Sequence, residues 1–129
     1  CEPGRALVAE AGTLVVRVEL KRGNLLYLND GVYGGLIEML PHQGSFQYPV
    51  RAHTLRPEGL DNTALVPFRF GGPTCDSTDM MAGPFYLPEG IAEGDWIEIG
   101  LTGAYSVSCR TNFNGFGRHK TLLLDTSAD

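Results

Sequence analysis

Between Thr13 and Lys21 the chain alternates without a break. Leu14, Val16, Val18 and Leu20 fall on one face, and Val15, Arg17, Glu19 and Lys21 on the other. A period of two in largely branched residues is the pattern of a strand with one buried face. Arg22-Gly23-Asn24 supplies turn chemistry, and Leu25 to Leu28 continues as a second strand, so this stretch predicts a hairpin. Nowhere do apolar residues repeat at helical spacing for three turns. The 17 glycines and 8 prolines among 129 residues point the same way, toward many turns and few long helices.

Further strands are expected over 36–40, 48–55, 64–70, 96–99, 104–109 and 121–124, with a short helical turn near 77–81. Connectors rich in Pro, Gly and Asp, at 56–63 and 87–95, separate them. Short strands with regular punctuation predict a mainly all-β domain, a barrel or a sandwich. With 43% hydrophobic residues the chain has material for one core, and its length suits one domain.

A net charge of −5 argues against a sequence-independent grip on nucleic acid. No apolar run approaches the roughly 20 residues of a membrane-spanning helix, so no membrane partner is expected. Cys1, Cys75 and Cys109 are an odd set without CxxC spacing, which favours a reducing, cytoplasmic setting over a disulfide scaffold. His42, His53 and His119 stand in unrelated segments, and no metal site is expected from them. The opening Cys1-Glu2-Pro3-Gly4-Arg5, without an initiator methionine, reads as the start of a piece of something longer.

Three clusters carry chemistry. In Glu2-Pro3-Gly4-Arg5, a stiff bend sets an arginine beside a glycine amide. That combination suits a phosphate, because guanidinium matches phosphate oxygens two at a time; a surface turn with an ion pair is the alternative. In Gly71-Gly72-Pro73-Thr74-Cys75-Asp76-Ser77-Thr78-Asp79, a thiol on a rigid loop abuts a carboxylate. Cys75 there suits a proton donor and Asp76 a partner for a cation, against a loop whose side chains only bond their own turn. In Gly103-Ala104-Tyr105-Ser106, Tyr105 has either a ligand for its hydroxyl or a packing role. Asn112-Phe113-Asn114-Gly115-Phe116 adds a strong turn signal.

Taken in chain order with Leu28-Asn29-Asp30-Gly31-Val32-Tyr33-Gly34 and Gly94-Asp95-Trp96, these clusters resemble the C-terminal portion of the ornithine/lysine/diaminopimelate decarboxylases. Those are pyridoxal-phosphate enzymes of fold type III, an alanine-racemase-like barrel joined to a β-domain. The resemblance runs from residue 2 to about residue 118. It implies that 1–12 end the cofactor-barrel domain and that 13–129 form the C-terminal β-barrel domain, the TIM-like barrel itself being absent. It implies that Glu2 faces the pyridine nitrogen, that Gly4 and Arg5 hold the phosphate, and that Tyr105 adds a hydroxyl. Cys75 is implied as the acid that protonates the α-carbon after CO₂ leaves, and Asp76 as the partner of the substrate's distal ammonium. Both are implied to reach the active site of the other subunit of a homodimer.

The Cys-Asp and Phe-Asn-Gly-Phe forms resemble the ornithine or lysine branch, where the diaminopimelate branch carries Cys-Glu. One departure stands out: an acid is usual soon after Val-Tyr-Gly, and here His42 takes about that place. The lysine that anchors the cofactor lies upstream of Glu-Pro-Gly-Arg in the family, so this chain alone is expected to be inactive. The leading expectation is thus the C-terminal part of a decarboxylase of a basic amino acid, giving a diamine and CO₂. The alternatives are a non-catalytic regulatory or binding homologue, a diaminopimelate-type enzyme, and an unrelated β-barrel binding module.

Overall fold

The expected hairpin forms. Strand β1 (Leu14–Arg22) pairs antiparallel with β2 (Leu25–Leu28), with Val18 opposite Leu28 and Arg22 opposite Leu25. The computed structural model describes residues 3–40, 47–61 and 64–125. Four more strands follow: β3 (Val50–His53), β4 (Leu65–Gly71), β5 (Met80–Pro88) and β6 (Trp96–Ile99). They form one six-stranded sheet in the order β3-β6-β1-β2-β4-β5. Its two edge strands, β3 and β5, lie against each other, so the sheet curls into a nearly closed barrel. Of the two expected mainly β architectures, barrel and sandwich, the barrel forms.

The inward faces fill that barrel. Val16, Val18, Leu26, Leu28, Phe68, Phe70, Leu87, Ile97 and Ile99 are all buried, while Val15 on the opposite face of β1 is exposed. Each buried aliphatic or aromatic side chain contributes about 1.5–3 kcal/mol. Every sheet contact is antiparallel except β2 with β4, where Leu25 stands beside Arg69 and Tyr27 beside Gly71.

Elsewhere the structure departs from the strand pattern, for identifiable reasons. The segment 36–40 is a 3-10 turn at Ile37–Met39, with the Gly34 and Leu36 amides both bonded to the Gly31 carbonyl. The segment 104–109 is a set of turns, because Tyr105 takes a left-handed backbone (φ 62°) that no strand tolerates. The segment 121–124 is irregular, with Leu123 96% exposed; among the described residues no strand pairs with it. The helical turn expected near 77–81 is a single turn, the Asp79 amide donating to the Asp76 carbonyl at 3.0 Å, and β5 begins directly after it at Met80. At the start of the chain, the expected bend is a short helix, α1 (Pro3–Val8), opening on proline where the missing N–H costs nothing.

One buried carboxylate clamps the far side. Asp95, 2% exposed, accepts from the Thr54 hydroxyl (2.5 Å), Arg56 Nη2 (2.7 Å), Arg56 Nε (3.2 Å) and the Ala92 amide (2.9 Å). It thereby pins the loop after β3 to the turn before β6. Burial alone pushes its carboxyl up, but the hydrogen bonds from Thr54, Arg56 and Ala92, with the Arg56 charge, hold it below the ordinary value of 3.8. A carboxyl depressed in the folded state stabilises the fold above its unfolded pKa and loses that contribution as pH falls through the folded one. Asp95→Asn should therefore cost about 2–3 kcal/mol at neutral pH. Urea melts of the two proteins check this: the gap should be full above about pH 5 and close as pH falls below about 4. A gap that does not change with pH would show that the charge is not what stabilises the clamp.

Candidate functional site

The singled-out residues gather in two groups on loops at the ends of the strands. The first is built on the connection from β4 to β5. There Asp79, 2% exposed, accepts from the Val32 amide (2.9 Å), the Thr74 amide (3.1 Å) and the Thr74 hydroxyl (2.6 Å). A Cβ on Gly31 or Gly72 would collide with the Asp79 carboxylate, so glycine at both positions is a condition of the clamp. Three donors on one buried oxygen pair compensate its desolvation. The loop between is thereby held rigid.

At its tip stands Cys75, exposed and in the left-handed region (φ 56°). That conformation costs a non-glycine residue of order 1–3 kcal/mol and persists only where the surroundings enforce it. Beside it, Asp76 Oδ1 accepts from the Thr78 amide (2.8 Å) and the Thr78 hydroxyl (2.6 Å). Those two bonds, first the hydroxyl and then the amide, hold the Asp76 carboxyl below its ordinary value, so it is a carboxylate at neutral pH. The same hydroxyl lies 2.9 Å from the Tyr33 hydroxyl. Tyr33 in turn stacks on Phe113 with ring centroids 4.4 Å apart, and its carbonyl accepts from both the amide and the hydroxyl of Thr111. Asn114, also left-handed (φ 52°), donates its side-chain amide to the Thr74 carbonyl at 3.0 Å. Three motifs far apart in sequence thus meet around Cys75 and Asp76.

Behind them, Asp30 braces the turn after β2 by accepting from the Gly31 and Gly35 amides. Burial pushes its carboxyl up, against those two bonds and the positive charge of Arg110.

The second group joins α1 to the loop after β6. The Thr102 amide donates to the Gly12 carbonyl and the Gly103 amide to the Ala9 carbonyl, each at 3.0 Å. Gly12 and Gly103 make this possible: a Cβ on Gly12 would stand 2.6 Å from the Gly103 Cα, and one on Gly103 would overlap the Val8 carbonyl oxygen. The docking carries the Arg5 guanidinium over the Tyr105 ring, 5.0 Å from its centroid. Two residues one hundred positions apart, both read as phosphate contacts, are thereby neighbours. Around Gly4, space for a Cβ is open, so its small size answers no protein contact. The sequence reading did not anticipate Glu38: its Oε1 and Oε2 each accept from Arg5, at 2.5 Å, and the Tyr48 hydroxyl donates to Oε2 at 3.4 Å. Glu2 and His42 lie outside the described residues.

Comparison with known proteins accords with this geometry. Residues 7–103 match the family model described as pyridoxal-dependent decarboxylase, C-terminal sheet domain. The chain belongs to that family. It is 38% identical to the ornithine decarboxylase of Schizosaccharomyces pombe, over 97% of this chain and 31% of the relative. Its fold matches the lysine/ornithine decarboxylase of Vibrio vulnificus, solved with cadaverine, at a TM-score of 0.71 and 31% identity, over 94% of this chain and 32% of the other. The lysine decarboxylase of Selenomonas ruminantium matches at a TM-score of 0.74 and 26% identity, covering 96% and 31%. The chain therefore spans about a third of the length of these relatives. Within the decarboxylase sheet domain, the loop carrying Cys75 and Asp76 falls inside the matched stretch, as does Gly103, while Arg5 and Tyr105 flank it.

Substituting Gly103→Ala should prise α1 from the loop after β6, because the new Cβ has no room at the Val8 carbonyl. The expected cost is about 1–3 kcal/mol, with faster amide exchange across residues 8–12. Unchanged stability and unchanged exchange would mean that α1 does not depend on this docking.

Proposed function

We propose that the chain is the C-terminal part of a pyridoxal-phosphate-dependent decarboxylase that converts a basic amino acid, ornithine- or lysine-like, to a diamine and CO₂. The observation that carries the reading is the pair Cys75–Asp76, held on a clamped loop with Cys75 in a strained, exposed conformation. On this reading residues 1–12 close the cofactor domain and 13–129 form the sheet domain of a cytoplasmic homodimer. The exposed Leu7, Leu55 and Leu122–Leu124 support further protein contacts, since large apolar side chains in such number favour being covered.

The residues present fit the cofactor's phosphate. Arg5 offers paired cationic donors, Tyr105 a hydroxyl beside it, and Gly4 a backbone that a phosphate can approach without meeting a side chain. Glu2 is assigned to the pyridine nitrogen. When bound, pyridoxal phosphate supplies a ring that draws off the electron pair left by the departing CO₂. Cys75 delivers the proton from its Sγ to the α-carbon, and the exposed tip of the loop suits it to do so in the partner's active site. Asp76, ionised and fixed by Thr78, pairs with the distal ammonium of the substrate and so sets its length and charge.

In the full-length enzyme, Cys75→Ala should slow turnover by about 10²–10⁴-fold with little change in cofactor absorbance. Asp76→Ala should instead raise KM and relax substrate choice, with turnover of the native substrate at saturation much less affected than in Cys75→Ala. Mixing the Cys75→Ala enzyme with a variant lacking the cofactor-anchoring lysine should restore part of the activity, because one site of each mixed dimer is intact. No recovery in a mixture shown to exchange subunits would defeat the shared-site assignment.

A further inference from the structure

Arg5 cannot present its fork to a phosphate while Glu38 fills it. The two side chains meet end-on, both terminal nitrogens on both carboxylate oxygens at 2.5 Å, and both are partly shielded, 29% and 18% exposed. The Tyr48 hydroxyl donates to Glu38 and lies beside the Arg5–Glu38 pair, and Tyr105 lies under the guanidinium. Burial and the Glu38 charge push the Tyr48 hydroxyl's pKa up, so it stays a donor to Glu38. Glu38 is carried on the 3-10 turn Ile37–Met39, whose Leu36 and Met39 are anchored in the core, so its backbone is fixed within reach of Arg5.

We propose that Glu38 is the resident counter-ion of the phosphate site, holding Arg5 when no phosphate is bound and giving it up when one arrives. The inference rests on the assignment of Arg5 to the cofactor's phosphate. The exchange is of one anion for another on a single guanidinium, and no covalent bond changes. A carboxylate carries one negative charge and a phosphate monoester close to two at neutral pH, so the phosphate prevails where a singly charged anion does not. Glu38 therefore does two things. It keeps Arg5 oriented over Tyr105 in the empty site, and it raises the threshold for occupancy so that weaker anions are turned away.

The test measures binding directly, in the full-length protein stripped of cofactor, with inorganic phosphate and acetate as the ligands in calorimetric titrations. Glu38→Gln keeps the side chain's shape and removes its charge. It should bind inorganic phosphate about five- to tenfold more tightly, and should bind acetate measurably where the parent does not. Unchanged or weaker phosphate binding in a Glu38→Gln protein with parental thermal stability would overturn the proposal. Should that variant be unstable, Tyr48→Phe, which removes the hydroxyl that donates to Glu38, should shift phosphate affinity in the same direction by a smaller factor; no shift overturns it equally. Arg5→Ala separates the two levels. If it leaves phosphate binding untouched, the assignment of Arg5 fails; if it weakens binding while Glu38→Gln does not strengthen it, only the role of Glu38 fails.

Discussion

The parallel pairing of β2 with β4 governs this architecture. Antiparallel neighbours can be joined by a tight turn, but a parallel neighbour must be reached from the opposite end, which demands a long connection. Here that connection runs from Asn29 to Ala64 and does three things on its way. It turns at 31–39, lays β3 beside β6 at the far edge of the sheet, and returns to start β4. Because β3 is placed at one edge and β5 at the other, their contact closes the barrel. The same excursion delivers Tyr33 to the Cys75 loop and Glu38 to Arg5. Closure and site are products of one topological requirement.

Asp79 converts that placement into rigidity. Sheet pairing fixes where the loop after β2 and the loop between β4 and β5 begin, but not how they lie against each other. A carboxylate buried between them, satisfied by Val32 and Thr74, removes that freedom. Water could satisfy the same donors in an open loop, so the net gain per bond is only about 1 kcal/mol; leaving the buried carboxylate unpartnered is the larger penalty, and it makes the arrangement specific. The left-handed backbone at Cys75 is sustained by this enforced geometry.

The parts of the fold legible in the sequence were those in which one strand face is wet and the other dry. Strand β1 alternates and stands where the alternation put it, β2 follows the turn at 22–24, and β3, β4 and β6 form within or close to the expected segments. Strand β5 was hidden because Gly83-Pro84 interrupts its pattern; the ladder accommodates them with a register shift, Phe68 facing Phe85 but Phe70 facing Met81. The run 104–109 alternates as well as a strand does, yet among the described residues no strand pairs with it, and the left-handed backbone at Tyr105 commits it to turns. In the candidate site, Arg5, Cys75, Asp76 and Tyr105 stood out because each sits in a distinctive sequence neighbourhood. Those that act by pairing across the fold did not. Glu38 stands 33 positions from Arg5, and no spacing rule connects them. Asp79 carried a weak signal, an acid just ahead of an apolar strand behind two glycines, but its donors at Val32 and Thr74 are a matter of topology.

The two groups also differ in what holds them, and the difference suits the work proposed for each. Cys75 and Asp76 are fixed by neutral donors converging on buried or ionised carboxylates, contacts that an arriving substrate has no reason to displace. Arg5 is fixed by an opposite charge at a partly exposed site, the kind of contact that another anion does displace, since such pairs are worth little more than their competitors for water and salt. A proton donor must hold its position through every turnover, whereas a cofactor anchor must be able to fill and empty. The clamp at Asp79 is built for permanence and the pair at Glu38 for exchange. Both come from the same chemical pieces, a carboxylate and its donors, separated in behaviour by burial and by whether the partner is charged.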